Sequence, residues 1–185
     1  MAVPDRSAAR QVLAAGNPPE WLVVHSEGVA RVAAEAARML AHNGVSVDPL
    51  LVEAAARLHD IDKMETRANG RHGLAGAERL TDLGYGELAD PVASHPFYCL
   101  LDPERFPRSW AAICVSVADR RVGQHFSDIG ERLDDLATRY PDDAEPIHAA
   151  REPAEALEAR LAEAAGLTRR ALEVRLRDAW ADGDR

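Results

Sequence analysis

Apolar runs with helical spacing, opened by Asn, Asp or Pro and shut by Gly or Pro, leave this chain one architecture, packed helices; no strand-like alternation is long enough to found a sheet. Asn17-Pro18-Pro19-Glu20 reads as a helix start, with a capping side chain, Pro at the first helical position and Glu three residues after the cap. That helix is expected to run to His42, where Asn43-Gly44 stops it. A short helix precedes Gly16. Asp48-Pro49 opens another that continues through Leu58, and a polar loop follows Lys63 and ends at Asn69-Gly70. Further helices are expected over 72–83, 87–95, 107–122, 128–140, 146–165 and 169–181.

The expectation is therefore an all-α, single globular bundle of about eight helices. Composition agrees: apolar residues make up 46% of the chain but aromatics only 5%, and Ala, Leu, Val, Arg and Glu fill most of it. A chain of 185 residues fits one domain. Such a domain hides roughly 70% of its unfolded surface, enough interior to host a polar site. Three stretches are distinguished: a helical lead-in over 1–20, a central unit over 21–140, and a C-terminal helical extension over 141–185, richer in Glu, Arg and Ala. That extension covers the core, pairs with a second subunit or stands solvated.

Net charge is −9 with no dense basic stretch, which argues against a nucleic-acid surface. A small phosphate substrate remains compatible, since divalent cations reverse the local field inside a pocket. Cys99 and Cys114 sit in apolar surroundings outside any paired-cysteine metal motif and read as reduced, buried thiols. No apolar run approaches the roughly 20 residues that cross a bilayer, and the N-terminus lacks a signal-peptide apolar segment. A cytoplasmic protein without membrane partners is expected, and a homodimer is compatible with the sequence.

Against this background several polar residues stand where apolar ones belong. His59 follows Val52 and Ala55 on one helical face, and Asp60 lies about 100° around from it. His25 shares its face with Val29, Val32 and Ala36, and Asp119 shares one with Ala112, Val115 and Ser116. A lone inward His is more often a hydrogen-bonded core residue, and a lone Asp near a helix end more often a cap. Four together on three helices point instead to a cation, because an unpaired buried carboxylate costs several kcal/mol or takes up a proton. Imidazole with carboxylate suits Fe, Mn, Ni, Co or Zn better than calcium.

The segments His25-Ser26-Glu27-Gly28-Val29-Ala30, Leu58-His59-Asp60-Ile61-Asp62-Lys63 and Val117-Ala118-Asp119 resemble the HD superfamily of metal-dependent phosphohydrolases. In that superfamily a His, a His-Asp pair and a distal Asp bind the metal. The likeness covers about Trp21 to Arg121 and implies an HD-domain helical bundle. His72, in His-Gly-Leu-Ala-Gly-Ala-Glu, and His95, in Val-Ala-Ser-His, match the extra histidines of two-metal members, so the resemblance implies six ligands and one or two divalent ions. Read on their own, His72 is equally an exposed residue at a helix start and His95 a local cap before Pro96. His42, His125 and His148 match no such position.

The pattern looks nearest to the bacterial enzymes that symmetrically cleave dinucleoside tetraphosphates. Where those carry Thr after the histidine corresponding to His95, this chain has Pro96-Phe97-Tyr98, which implies a different substrate pocket. Asp62 stands where Gly is common elsewhere in the superfamily, at a position that varies.

The resemblance implies hydrolysis of a nucleotide-like phosphate ester or anhydride through a metal-activated water. Asp60 would bind the ion and orient the nucleophile. Lys63, in the family's His-Asp-x-x-Lys pattern, would neutralise charge on the phosphoryl oxygens, with Arg120 and Arg121 as further phosphate contacts. Two other readings use the same residues: a di-iron HD-type oxygenase, and a nucleotide-sensing HD protein without turnover. Lys63 favours hydrolysis, since an anionic phosphoryl group gains most from it.

Overall fold

A computed structural model describes residues 3–66 and 70–182 of the chain. Its described residues form eleven α-helices and no strand, the nearest approach being an isolated bridge between Val122 and Phe126. The helices are α1 (Arg6–Ala14), α2 (Glu20–His42), α3 (Pro49–Leu58), α4 (Lys63–Thr66), α5 (Leu74–Asp82), α6 (Ala89–Ala93), α7 (Trp110–Asp119), α8 (Ile129–Arg139), α9 (Ala144–Ala149), α10 (Arg151–Ala164) and α11 (Arg169–Ala181).

The count exceeds eight because prolines and short turns divide what spacing alone joins. The run expected over 146–165 is two helices, with the break at Ala150. Pro153 explains it: proline has no N–H to donate, and its ring collides with the carbonyl four residues back. The stretch 87–95 divides into a 3-10 turn over Gly86–Leu88 and the short α6, which carries Pro91. Part of the segment read as a polar loop after Lys63 winds into α4; Asn69 lies outside the described residues.

Asn17 does not cap α2 as its neighbours suggested. Its φ is 47°, and its N–H bonds the Ala14 carbonyl at 2.9 Å, so it finishes α1. Pro19 takes the cap position of α2 without a side-chain bond. Other ends match expectation. The Asp48 side chain accepts from Leu50 N–H, Gly44 follows α2 at φ 84°, and Asp128 with Glu131 forms a complete capping box on α8.

Helix α2 runs through the centre, burying Val29, Val32, Ala33, Ala36, Ala37 and Leu40. Its small side chains let α3, α7 and α11 lie close on different sides. The C-terminal helices contribute to this one core: α10 packs on α7 and α8 and supplies buried Leu157 and Leu161, while α11 packs on α2 with Leu172 and Leu176. Arg175 on α11 pairs with Glu35 on α2 at 2.5 Å. No helix among the described residues is long and apolar enough to cross a membrane. Cys99 and Cys114 are buried and unpaired.

Candidate metal centre

Six polar side chains reach one region from the ends and edges of different helices. His25 projects from the first turns of α2, His59 caps the C-terminus of α3, and Asp60 follows it in a turn. Asp119 is the last residue of α7, His72 precedes α5, and His95 follows α6. Helix ends carry unpaired backbone groups, and these provide the bonds that aim the rings. The Ala56 carbonyl accepts from His59 Nδ1 and the Val92 carbonyl from His95 Nδ1, each at 2.6 Å. Both rings therefore turn Nε2 inward.

Two groups of donors form around Asp60. On one side His25 Nε2 lies 3.2 Å from His59 Nε2 and 3.2 Å from Asp119 Oδ1, with Asp60 Oδ2 at 3.6 Å. On the other, His72 Nε2 and His95 Nε2 are 3.1 Å apart and lie 3.1 and 3.4 Å from Asp60 Oδ1. Asp60 thus faces one oxygen to each group. All six predicted ligands come together, and Lys63 joins them with Nζ 2.6 Å from Asp60 Oδ2.

Asp60 is fully buried, and its Oδ1 has no hydrogen-bond partner. A buried unsatisfied acceptor costs about 1–3 kcal/mol, so the protein tolerates here an atom whose lone pairs are kept for something else. Burial alone would push both acids up. The nearby charges of His59 and Lys63 instead hold Asp60 well below the usual carboxylate range. The nearby His25 and His59 rings, with the Arg120 charge, do the same for Asp119. Burial pushes His95 down to about 4 and lowers His25 as well. Ionised acids among imidazole Nε2 atoms converging within a few ångströms form a donor set that fits a transition-metal ion, and two triads, His25-His59-Asp119 and His59-Asp60-His95, are spaced to share one.

An HD domain model matches residues 22–124, more than half of the chain and the whole of this donor set. The chain belongs to the HD domain family. Its HD pair is His59-Asp60, with His25 and Asp119 as the flanking His and Asp. HD proteins are generally metal-dependent hydrolases, and the donors gathered on this HD domain are of the kind that holds divalent metal. No curated protein and no solved structure matches the chain.

The two arginines after α7 part company. Arg120 bonds Asp119 Oδ2 at 2.7 Å and the His95 carbonyl at 2.5 Å, and lines the cavity beside the HD pair. Arg121 turns away from it: Nε binds buried Glu158 at 2.6 Å and Nη1 the Ser127 carbonyl at 3.2 Å. Its expected place as a phosphate contact is thus corrected, because consecutive residues leave a helix end in different directions and Glu158 on α10 claims this one.

Sequence reasoning missed several residues at the site. Asp62 hydrogen-bonds His72, the Tyr98 hydroxyl donates to the His72 carbonyl, and Tyr140 lines the cavity. Tyr98 had a signal, as part of the Pro96-Phe97-Tyr98 departure. Tyr140 had none, since α8 brings it from outside the motif region.

Proposed function

We propose that this HD protein hydrolyses a phosphate ester or anhydride of a nucleotide-like compound, dinucleoside polyphosphates included. One observation carries the reading. The donor cluster opens, at His72, His95 and Asp119, into a cavity of about 400 Å³ where Lys63, Arg120 and Arg132 stand with Phe97, Tyr98 and Tyr140. Cations beside the cluster suit an anionic phosphoryl group, and aromatic walls suit a planar ring carried on it.

His25, His59, Asp60 and Asp119 would hold one divalent ion, and His72 and His95 a second with Asp60 between them. An ion bound there supplies Lewis acidity, lowering the pKa of a water and polarising a phosphoryl oxygen. Asp60 orients the attacking water through its carboxylate. Lys63 Nζ, beside Asp60 and at the cavity wall, neutralises charge that develops on the non-bridging oxygens. Arg120 keeps Asp119 and the backbone of His95 in register with each other.

The test is a screen of nucleotides and dinucleoside polyphosphates for phosphate or nucleotide release by metal-supplemented protein, with Asp119→Ala as control. Metal-dependent turnover that falls on the order of 100-fold or more in the variant is expected. Equal turnover by Asp119→Ala, or none by the metal-loaded wild type on any of these compounds, contradicts the reading.

A further inference from the structure

We propose that Asp62 is a positioning residue for the second ion: its carboxylate fixes the tautomer and orientation of His72, so that the Nε2 lone pair faces Asp60 and His95. The inference rests on the two-ion reading above and adds a residue to it.

The need for Asp62 follows from where the histidines sit. His59 and His95 stand at helix C-terminal ends, where carbonyls are free, and Ala56 and Val92 provide them. His72 stands before the N-terminal end of α5, where the backbone offers N–H groups instead. A donor cannot orient Nδ1–H. An acid placed between the helix end and the ring solves this, because it accepts from both.

Asp62 has that geometry. It is 1% exposed, and its Oδ2 accepts from Gly73 N–H at 2.8 Å and from Gly76 N–H at 2.9 Å. Oδ1 lies 2.8 Å from His72 Nδ1. An ionised carboxylate only accepts, so a hydrogen belongs on Nδ1, and in the neutral ring that a metal ligand must be, Nε2 is the bare atom. That Nε2 is the atom 3.1 Å from Asp60 Oδ1 and 3.1 Å from His95 Nε2. Bonds of this kind behind a ligating His raise its basicity, and their loss typically weakens metal affinity 10–100-fold.

Asp62→Asn separates positioning from scaffolding. Its oxygen keeps both amide bonds to Gly73 and Gly76, because the opposite flip sets its NH₂ group against two donors. The NH₂ group then faces His72 Nδ1, which must become the acceptor and move its hydrogen to Nε2, pointing into the subsite. A purely structural Asp62 would tolerate Asn, which keeps the amide bonds, and suffer more from the longer Glu. The positioning role reverses that order, since Glu still accepts from Nδ1–H.

The measurement is zinc titration of wild type, Asp62→Asn and Asp62→Glu by calorimetry, with thermal denaturation of each. Wild type should bind two Zn²⁺ per chain. Asp62→Asn should keep its first ion and lose affinity for the second by about 10–100-fold, with Asp62→Glu lying between the two. A second-ion affinity for Asp62→Asn within twofold of wild type overturns the proposal. So does a single Zn²⁺ on wild type, which also removes the two-ion reading, whereas two ions without hydrolysis sink only the hydrolase. If Asp62→Asn does not fold, proton–nitrogen NMR of the zinc-loaded wild type decides instead. His72 should carry its hydrogen on Nδ1, and a hydrogen on Nε2 refutes the assignment.

Discussion

Lys63 Nζ lies 2.6 Å from Asp60 Oδ2, so the cation at the cavity wall and the central acid of the HD pair form one unit. The pair joins the first residue of α4 to the turn after α3. Lys63→Ala should lower kcat by about 100- to 1,000-fold, the usual loss when a group that stabilises transition-state charge is removed. Metal content should not change, because Lys63 has no lone pair to donate while protonated. Steady-state kinetics with metal analysis checks this; a large loss of metal would show that Lys63 holds the site together instead.

Arg120 is buried between Asp119 and the His95 carbonyl, reaching the acid of one donor group and the backbone of a histidine in the other. Removing one partner of a buried ion pair commonly costs about 3–5 kcal/mol. Arg120→Ala is expected to lose stability in that range, with weaker retention of both ions. Urea denaturation measures it, and a change under about 1 kcal/mol would contradict the account.

Behind the HD pair, buried Arg57 reaches half-buried Glu27 at 3.0 Å and buried Glu53 Oε1 at 3.0 Å, and exposed Arg6 reaches that Glu53 oxygen at 2.7 Å. Burial pushes Glu53 up, but the bonds and charges of Arg6 and Arg57 outweigh it and set Glu53 below its ordinary value of 4.5. A depressed carboxyl stabilises the fold above its unfolded pKa, and this contribution fades as pH falls below about 4.5. Glu53→Gln should therefore cost about 1–3 kcal/mol at pH 7. The gap between variant and wild type should close as acid protonates Glu53; a gap constant from pH 7 to pH 3 would show that it comes from packing.

Gly76 tests the packing that brings α5 to Asp62. A Cβ there would stand 3.1 Å from Ile61 Cγ2, 3.2 Å from Val92 Cγ1 and 3.3 Å from Asp62 Cγ. Gly76→Ala should cost about 1–3 kcal/mol by overpacking, outweighing the gain in helix propensity. Thermal denaturation reads the result. A more stable variant would mean that α5 yields freely and that its contact with Asp62 is loose.

Local signals make the helices and four of the donors legible in the sequence, while His72 and His95 are visible only through the family resemblance. Periodicity places His25 and Asp119 on buried faces, and Asp48-Pro49 marks a helix start that the structure keeps. Less visible were features that depend on a distant partner. Asp62 reads as a departure from a common Gly until α5 arrives with two amide N–H groups and His72. Arg120 and Arg121 look equivalent until Glu158, on a helix beyond the motif region, takes one of them. The break at Ala150 had its cause in plain view, since Pro153 forbids a continuous helix. The cavity wall drew on Arg132 and Tyr140 as well, which only the packing of α8 brings near.

The central claim is that Asp60 stands between two groups of imidazoles and serves an ion in each. Elemental analysis of protein purified without chelator and supplemented with Mn²⁺, Fe²⁺ or Zn²⁺, comparing wild type with Asp60→Ala, tests it directly. The account predicts about two ions per wild-type chain and loss of both on substitution. Wild type that retains no transition metal, or Asp60→Ala that retains as much as wild type, would contradict it.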